Sequence, residues 1–364
     1  MKTSFCYLLI LAGGRGVRLW PRSKKISPKH TLFLNSGKSL LQKTYERFKN
    51  FLPPENILVV TLKEQEKLIK KQLSDLPEEN FIIEPLGKNT LPAILAGTIC
   101  IGRRNPEATV CVLPSDHLIK PREKFLNKLQ QAIEFVEKCN GIVLLGIKPD
   151  YPATGYGYIK IRNPKSESRN HKIYKVEKFI EKPDLERARR IFDKDNYFWN
   201  AGIFIFKADK ILEETERIVP EVYKEFISLR EKEGKREFKF FLKQVYKRIP
   251  SLSIDKAIME RLNSLYMLKG DFSWLDIGSW ESLARIFKKD KANNVNLGKN
   301  FLHKTRNCII INEQNQHLIA TLSLENIVIV HTPKVTLVYP RQETQTLKSL
   351  MARLEKNKKF KKYL

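Results

Sequence analysis

The first half of the chain alternates between two hydrophobic patterns. Short apolar runs predict buried strands, and they fall at residues 7–12, 56–61, 81–84, 109–113 and 141–145. Between these runs, apolar residues recur at helical spacing, which predicts helices at 38–50, 63–73, 91–104 and 123–138. Repeated β-α-β units of this length predict an α/β fold, with a Rossmann-like mixed but mainly parallel sheet flanked by helices.

The pattern changes in the second half. Strands are predicted at 174–180 and 201–206, with helices across most of 207–247. From residue 298 onward, short β runs at 308–311, 317–320, 327–330 and 335–339 follow one another between polar turns, before a helix at 342–358. We therefore expect a large domain at 1–290 and a small C-terminal β domain with a terminal helix at 298–364.

The turn after the first predicted strand carries three glycines, Gly13, Gly14 and Gly16. Glycine lets backbone N–H groups approach a ligand closely, and successive N–H groups form a concave anion site. The cations Arg18 and Lys29 follow, where they would add positive charge beside phosphates. The pattern predicts a site for a nucleoside polyphosphate, and the alternative is an ordinary tight turn.

Two familiar phosphate loops do not fit this turn. The P-loop ends in Gly-Lys-Ser/Thr, which the turn lacks. The dinucleotide fingerprint requires a third glycine at position 19, where this chain has Leu19.

Composition narrows the function classes. The net charge is +27, and the lysines are dispersed except for five between residues 356 and 362, a stretch typical of a solvated helix end. No RNA-binding signature or zinc finger is present, so we expect no nucleic-acid partner. No apolar run is long enough to span a bilayer, and the five scattered cysteines support neither a disulfide framework nor a zinc site. We expect a cytoplasmic protein with no membrane partner.

Two aspartates follow apolar sequence, Asp116 in PSDH and Asp276 in WLDIGSW. A lone carboxylate is expensive to bury, and a shared Mg²⁺ would be its partner, since Mg²⁺ prefers oxygen ligands. The alternative is that each aspartate is a helix N-cap. For the neighbouring His117 we expect a structural hydrogen bond rather than a role as ligand or base.

A second group of polar residues lies in FIEKP and WNAGIF. Lys182 follows a predicted strand and could meet a second phosphate, while Glu181 could accept hydrogen bonds from hydroxyls. Asn200 and Gly202 offer an amide and an open backbone for hydroxyl recognition. Without further context, Glu-Lys-Pro is most often a surface turn.

Together these motifs resemble the sugar-phosphate nucleotidyltransferases, and within them the mannose-1-phosphate guanylyltransferase family. The resemblance spans roughly residues 5 to 340 and rests on stretches that occur in the family's order. They are LAGGRGVRLWPRS, PKHTLFL, EPLGKNTLPAI, LPSDHLI, TGYGYI, FIEKP, WNAGIF, SIDKAIME and WLDIGSW. The chain departs from the family pattern at Val17, Arg22 and His30, and in the stretch His331–Val335.

The resemblance implies a nucleotide-diphospho-sugar transferase fold, with a short left-handed β-helix as one form of the C-terminal domain. It also implies the activity: GTP and mannose 1-phosphate, with Mg²⁺, give GDP-mannose and pyrophosphate. We expect a monofunctional enzyme and a homodimer.

The resemblance also assigns roles to residues. Those expected to be catalytic are Arg18, Lys29, Asp116, Lys182 and Asp276, with Asp116 and Asp276 holding the metal. Those expected at the nucleotide are Gly13, Gly14, Gly16, Glu84, Asn89, Thr90 and Ser115. Those expected at the sugar are Gly155, Tyr156, Glu181, Asn200 and Gly202.

Two other functions stay open at this point. Val17 and His30 leave room for a related pyrophosphorylase with another base or sugar. The positive charge leaves room for a non-catalytic nucleotide-sugar binding protein, although such a protein has no need of Asp116, Lys182 and Asp276 together.

Overall fold

The computed structural model describes residues 5–14, 16–34, 37–162, 173–232 and 237–364. These residues form two compact units. The large unit takes its residues from Met1–Gly13, Thr44–Ser115 and Ile119–Trp274. The small unit takes its residues from Gly14–Lys43, Asp116–Leu118 and Leu275–Leu364.

Strands and helices are numbered here in chain order. The strands are β1 Cys6–Ala12, β2 Phe33–Leu34, β3 Lys38–Ser39, β4 Ile57–Leu62, β5 Phe81–Glu84, β6 Thr109–Pro114, β7 His117–Lys120, β8 Ile142–Ile147, β9 Tyr158–Ile161, β10 Ile173–Ile180, β11 Tyr197–Lys207, β12 Leu265–Lys269, β13 Ser273–Asp276, β14 Val295–Leu297, β15 Asn300–His303, β16 Ile309–Asn312, β17 Ile319–Leu322, β18 Ile327–His331 and β19 Thr336–Pro340. The α-helices are α1 Leu40–Phe48, α2 Glu66–Gln72, α3 Thr90–Arg104, α4 Arg122–Cys139, α5 Leu185–Ile191, α6 Ala208–Ile218, α7 Pro220–Ile227, α8 Phe238–Arg248, α9 Ile254–Ala257, α10 Trp280–Ala284 and α11 Leu347–Lys356.

The large unit is built on one sheet of strand order β5-β4-β1-β6-β11-β8-β12-β10-β9. The strands of the first β-α-β units, β5, β4, β1 and β6, run parallel to their neighbours, as predicted. From β11 onward most pairings are antiparallel, namely β6–β11, β11–β8, β11–β9, β10–β9 and β10–β12. The prediction of a mixed α/β sheet is confirmed, but its description as mainly parallel is wrong, because β10 and β11 run antiparallel to every strand with which they pair.

The register of β1 and β6 places two predicted site segments side by side. Leu11 lies opposite Pro114, and Ser115 N–H donates to the carbonyl of Leu11 at 3.1 Å. Parallel strands end at the same edge of a sheet, so the glycine turn and the segment beginning at Ser115 both leave the sheet at this edge.

Apolar residues are buried on both faces of the sheet, as the fully buried neighbours Leu8 and Leu9 of β1 show. Helix α3 is buried along most of its length, because its apolar residues surround the whole helix rather than one stripe. Strands β6, β8 and β11 contribute Val112, Leu144 and Phe206, all at most 3% exposed. The large unit therefore holds its strand ends on a rigid base.

The C-terminal part of the small unit is β-rich, as predicted, and stacks its strands in coils. Strands β14, β16 and β18 pair in parallel on one face, and β15 and β17 pair in parallel on another. Arg306 and Glu325 form a parallel bridge on a third side, and β19 closes the stack antiparallel to β18. The left-handedness of this β-helix stays a prediction.

Asparagines occupy the corners of these coils. Asn293, Asn307 and Asn326 have φ values of 63°, 52° and 57°, in the left-handed region that asparagine tolerates better than most residues. Asn293 Nδ2 donates to Asn307 Oδ1 at 2.7 Å, and Asn307 Nδ2 donates to Asn326 Oδ1. We call these three residues the asparagine ladder, and it aligns one coil with the next.

The small unit has its own apolar core. Trp280 is fully buried there, together with Trp20, Val330, Leu337 and Leu347. These residues come from the segment after the glycine turn, from α10, from the β-helix and from α11. The core therefore ties the glycine-turn segment to residues far along the chain.

No helix in the described ranges is long and apolar enough to cross a membrane.

Candidate active site

The glycine turn is shaped by close contacts on both sides. A Cβ atom on Gly13 would lie 2.9 Å from Oε2 of Glu84, within the large unit. Gly16 has φ of 63°, and a Cβ there would lie 2.7 Å from Cβ of Lys29, within the small unit. Gly16 therefore requires glycine, whereas a side chain at Gly13 would have to displace the Glu84 carboxylate. At Gly14, no described atom lies within 4 Å of such a Cβ, so that position is open.

Lys29 lies between the two predicted metal carboxylates. It is held by a short 3-10 turn, Lys29–Thr31. Its Nζ forms ion pairs with Oδ2 of Asp116 and with Oδ1 of Asp276, the latter at 3.3 Å. The Lys29 side chain is 13% exposed and that of Asp276 is 23% exposed. The structure thus brings together three of the residues that the sequence predicted to be catalytic.

The charges in this cluster stabilise one another. Burial disfavours a charged carboxylate at Asp116, but the nearby positive charge of Lys29 outweighs it and holds the pKa of Asp116 down at about 2. Burial likewise disfavours the Lys29 ammonium, and the two aspartates outweigh this effect, so the pKa of Lys29 is raised. Both partners are therefore charged at neutral pH.

Neither aspartate is a helix N-cap, so that alternative is wrong. Asp116 lies in the tight turn between β6 and β7. Asp276 ends β13, and Ser279 caps helix α10 instead, in a capping box with Ser282. Neither carboxylate is therefore engaged by a helix N-terminus, because Ser279 caps helix α10.

Asp116, His117 and Asp276 could hold a metal ion. One ligand atom from each lies within 4.8 Å of the other two. Two carboxylate oxygens suit Mg²⁺, whereas the histidine nitrogen is a less typical ligand for it. Asp116 and Asp276 thus fit a hard divalent cation beside Lys29.

Arg18 belongs to the same unit as this cluster. It lies in the 3-10 turn Val17–Leu19, and its Nη1 donates to Oε1 of Gln345 at 3.4 Å. A Cβ on Gly278 would lie 3.2 Å from Arg18 Nη2 and 3.3 Å from Asp276 Oδ2. The guanidinium and the Asp276 carboxylate therefore both lie close to Gly278.

His30, one of the departures from the family pattern, lies next to Lys29 and is 1% exposed. Burial lowers the pKa of its imidazole to about 4, so the ring is neutral at pH 7. A side chain so fully enclosed acts on a ligand only through its neighbours.

Glu84 lies beneath the glycine turn in the large unit. It is 4% exposed, and its Oε1 accepts a hydrogen bond from the hydroxyl of Tyr246 at 2.9 Å. Burial raises the pKa of Glu84 to about 7, and the Tyr246 hydrogen bond only partly opposes this. Glu84 is therefore near the midpoint of its titration at neutral pH.

Asn89 and Thr90 make hydrogen bonds that stabilise the start of helix α3 in the large unit. Asn89 has φ of 72° and its side chain caps helix α3 by accepting from Thr90 N–H at 2.9 Å. The Thr90 hydroxyl accepts from Ile254 N–H at 2.9 Å, and Leu91 N–H donates to the Leu252 carbonyl at 3.0 Å. These bonds join EPLGKNT to SIDKAIME. A direct role of Asn89 and Thr90 at the nucleotide stays a prediction.

Ser115 is 2% exposed and supports the sheet edge through its backbone. Its carbonyl accepts from the Thr44 hydroxyl at 3.4 Å. Its expected contact with the nucleotide stays a prediction.

The predicted sugar residues gather elsewhere in the large unit. Lys182 has φ of 45°, which is uncommon for a lysine and often marks a functional site. Its Nζ pairs with Oε1 of Glu181, and the side chain is 58% exposed. Glu181 N–H donates to Oε1 of Glu260 at 3.0 Å. Lys182 is thus held at the surface by Glu181 while its ammonium stays accessible.

Asn200 is oriented at both ends of its amide. Its Oδ1 accepts from Gly202 N–H at 3.0 Å, and its Nδ2 donates to Oδ1 of Asp255 at 3.0 Å. Burial, reinforced by the charge of Glu181, raises the pKa of Asp255 to about 6. Asp255 is a residue that sequence reasoning missed, and the signal that could have found it is the acidic side chain in SIDKAIME.

An aromatic cluster adjoins these residues. The Tyr156 ring lies 5.2 Å from the Trp199 ring and 5.1 Å from the Trp274 ring, centroid to centroid. The Tyr151 ring lies 4.8 Å from that of Trp199. No described atom lies within 4 Å of a Cβ built on Gly155, so the start of the TGYGYI turn is open. Aromatic faces beside carboxylates and an amide are typical of a site that binds a sugar ring.

The structure therefore forms two groups of predicted residues, each within one compact unit. Arg18, Lys29, Asp116 and Asp276 form the group in the small unit. Glu181, Lys182, Asn200, Gly202 and Tyr156 form the group in the large unit, and Gly157 joins its parts, since its carbonyl accepts from Asn200 N–H at 2.8 Å.

Comparison with known proteins assigns a family to this arrangement. The family model described as "Nucleotidyl transferase" matches residues 7–293, and the one described as "MannoseP isomerase/GMP-like beta-helix domain" matches residues 298–354. The second match covers the coiled strands of the small unit.

Curated relatives match almost the whole chain. A mannose-1-phosphate guanylyltransferase of Escherichia coli is 34% identical over 364 residues, which cover 95% of this chain and 75% of that protein. One of Klebsiella pneumoniae is 33% identical over 354 residues, covering 96% and 74%.

Solved structures match as well. A crystal structure from Thermus thermophilus, described as a mannose-1-phosphate geranyltransferase, superposes with a TM-score of 0.83 at 31% identity, covering 96% of this chain and 99% of that one. A mannose-6-phosphate isomerase structure from Helicobacter pylori has a TM-score of 0.60 at 25% identity, covering 74% of this chain and 99% of that one. With relatives above 30% identity along nearly all of its length, the chain belongs to the mannose-1-phosphate guanylyltransferase family of nucleotidyl transferases.

Proposed function

We propose that this protein transfers GMP from GTP to mannose 1-phosphate and releases pyrophosphate. The observation that carries the proposal is the position of Lys29 between Asp116 and Asp276, in a chain of this family. A buried cation flanked by two carboxylates, beside a glycine turn, suits the handling of phosphates and not of a neutral ligand.

The chemistry is a displacement at phosphorus. An anionic oxygen of mannose 1-phosphate forms a bond to the α-phosphorus of GTP, and the bond from that phosphorus to the oxygen bridging the α- and β-phosphates breaks. The electron pair leaves with pyrophosphate, and GDP-mannose is the second product. The nucleophile is already an anion, so the protein has no need of a general base. Catalysis reduces to positioning and to stabilising negative charge.

The small-unit residues would act on the triphosphate. Backbone N–H groups of Gly13, Gly14 and Gly16 would bind phosphate oxygens. Arg18 and Lys29 would stabilise the charge that develops on the leaving pyrophosphate. Lys29 would give up part of its pairing with the aspartates and bind phosphate oxygens instead. This requires a charged ammonium, which the raised pKa of Lys29 favours.

Asp116 and Asp276 would hold Mg²⁺. The donor set fits, because each aspartate offers a carboxylate oxygen and both lie beside Lys29. When bound, Mg²⁺ neutralises charge on phosphate oxygens and makes the phosphorus more susceptible to attack.

The large-unit residues would recognise the sugar phosphate. Lys182, held by Glu181 with an accessible ammonium, would bind the phosphate. Glu181 and Asp255 would accept hydrogen bonds from hydroxyls, with Asn200 orienting Asp255. Tyr156 and Gly155 would border the ring.

One experiment tests the proposal and separates it from its alternatives. The protein is incubated with Mg²⁺, each of four nucleoside triphosphates and several sugar 1-phosphates, and pyrophosphate release is measured. Fastest release with GTP and mannose 1-phosphate supports the proposal. Fastest release with another pair would indicate a related pyrophosphorylase, and release with no pair would indicate a binding protein.

A further inference from the structure

We propose that residues 361–364, together with helix α11, position the turn that carries Gly16 and Arg18 for binding of the triphosphate. The inference rests on the proposed function, because it concerns the same phosphate site. It gives a role to the last turn of the chain, which sequence reasoning interpreted as a solvated end.

The contact at its centre is made by Trp20, two residues after Arg18. The indole Nε1 of Trp20 donates to the backbone carbonyl of Tyr363 at 3.0 Å. The carbonyl of Trp20 accepts from Nε1 of Trp280 at 3.0 Å. Trp20 is 6% exposed and Trp280 is fully buried, so the bond between them is buried, and the bond from Trp20 to Tyr363 is partly buried.

Trp20 is coupled to the glycine turn through short local bonds. Trp20 N–H donates to the Val17 carbonyl at 3.2 Å, and Leu19 N–H donates to the Gly16 carbonyl at 2.9 Å. The Ser23 hydroxyl donates to the same Gly16 carbonyl at 2.6 Å. A displacement of Trp20 therefore moves the peptide groups of Gly16 and Val17, and with them the side chain of Arg18.

Helix α11 and the turn do not fill the space between them. A cavity of about 60 Å³ lies there, lined by Val17, Ser23, Lys24, Lys25, Met351, Glu355 and Leu364. Loose packing does not fix an orientation, whereas a partly buried hydrogen bond does. The Trp20–Tyr363 bond is thus a directional link between the turn and the end of the chain.

The other end of this segment is anchored to helix α10, which follows the WLDIGSW strand. Arg341 forms two hydrogen bonds with Glu281, both at 2.7 Å, and Glu281 directly follows Trp280. Gln345, between Arg341 and α11, accepts from Arg18 at 3.4 Å. The segment 341–364 therefore connects the glycine-turn motif with the WLDIGSW motif inside the small unit.

The test uses two variants that break the central bond from opposite sides. Trp20→Phe keeps a large ring but removes the N–H donor. A chain shortened to end at Phe360 removes the carbonyl acceptor. We expect each to raise the KM for GTP about fivefold, the effect of losing one partly buried hydrogen bond, while kcat and the KM for mannose 1-phosphate change less than about twofold. Because both remove the same bond, the combined variant should be no worse than either alone.

Two control variants leave the bond intact. Tyr363→Phe keeps the backbone carbonyl, and Lys358→Gln with Lys359→Gln removes tail charge at exposed positions outside the positioning segment. Both should have the wild-type KM for GTP. An increase in the charge variant alone would show that the tail acts by electrostatic attraction, which would overturn the proposal.

Further readouts separate this proposal from the proposed function. If the wild-type protein makes no product with any substrate pair, the proposed function fails, and the link is then tested by hydrogen–deuterium exchange of residues 16–23. Faster exchange there in Trp20→Phe and in the shortened chain supports the link. Unchanged exchange, or additive effects of the two changes, or equal losses toward both substrates, would overturn it. Should the shortened chain fail to fold, Trp20→Phe alone decides.

Discussion

Lys29 is the residue on which the small-unit site depends. Sequence reasoning placed Lys29 among the phosphate cations and placed Asp116 and Asp276 at a metal, but it gave no sign that the lysine and the aspartates meet. The three residues lie far apart along the chain, and only the pairing of β1 with β6 and the packing of the small unit bring them together. Side-chain charge alone could not predict this contact.

Replacing Asp276 with asparagine should reduce turnover about 100-fold, because one metal ligand and one partner of Lys29 become neutral. The fold should persist, since Asn is of similar size. Pyrophosphate release measured across a series of Mg²⁺ concentrations gives the effect. Asp271→Asn, at a side chain that is 57% exposed, serves as the matched control and should be near normal. Near-normal activity of Asp276→Asn would remove this residue from the proposed mechanism.

Replacing Lys29 with methionine should lower stability in the absence of divalent metal by about 3 kcal/mol, because two neighbouring carboxylates lose their shared cation. Millimolar Mg²⁺ should recover part of this loss by taking the place of the ammonium. Urea unfolding with and without Mg²⁺ measures both effects. Lys120→Met, at an exposed position, is the control and should be insensitive to Mg²⁺. No recovery with Mg²⁺ would contradict the predicted metal site.

Glu84 should make stability fall as pH rises. Its pKa is raised to about 7 in the folded protein from an ordinary value of 4.5, so the folded state binds the proton more tightly than the unfolded state does. The stabilisation is complete below pH 4.5 and is lost between pH 4.5 and pH 7, a difference on the order of 3 kcal/mol. Glu84→Gln keeps an acceptor for Tyr246 and should abolish this contribution.

Unfolding free energies of the wild type and of Glu84→Gln, measured from about pH 4.5 to about pH 8, isolate the effect of this one group. As pH rises across that window, the unfolding free energy of the wild type should fall relative to that of the glutamine variant. A constant difference would show that Glu84 titrates normally.

At the scale of elements, the strongly periodic segments were predicted well. Helices α3 and α4 and strands β4, β5 and β6 lie within a few residues of their predicted positions. Strand β7 was missed because it directly follows the Asp116 turn, and its pairing with β13 is a tertiary contact. Strand β12 was missed because one short apolar run, Leu265–Lys269, does not distinguish a strand from a helix.

The link between α3 and α9 gives a prediction at this scale. Thr90→Val should cost about 1 to 2 kcal/mol, because it leaves the N–H of Ile254 without its acceptor. Thr98→Val, in the same helix, is the matched control. The Thr98 hydroxyl is buried with no hydrogen-bond partner among the described residues, so its removal should be neutral or stabilising. Urea unfolding of both variants measures the contrast, and equal losses would contradict the assigned role of the Thr90 hydroxyl.

At the scale of the whole molecule, the sequence predicted an α/β part and a β part, but it did not predict which segments of the chain each compact unit contains. The small unit combines residues 275–364 with two segments from the first third of the chain, 14–43 and 116–118. Hydrophobic periodicity tells which face of an element is buried and not against which other element. The antiparallel half of the sheet escaped prediction for the same reason.

The net charge of +27 should make the molecule more stable as salt is added. Self-repulsion among dispersed cations acts over distances that salt screens, with a Debye length of about 10 Å at 0.1 M. Raising NaCl from about 20 mM to about 200 mM should increase the melting temperature by a few degrees. Comparison with sodium sulfate at equal ionic strength separates screening from anion binding, and a falling melting temperature in NaCl would contradict the expectation.

The asparagine ladder also bears on how this part of the protein can change during evolution. Lys304 and Ser323 share the positive φ of the corners just as Asn307 and Asn326 do, so a full coil repeats every 19 residues there (323 − 304 and 326 − 307). Deleting or duplicating such a coil as one piece keeps each corner residue next to a corner residue of the neighbouring coil. Inserting one residue between Lys304 and Asn307 would instead move one corner out of line with its neighbours. We expect natural length variation in this domain to occur in whole coils or in the stretches between corners.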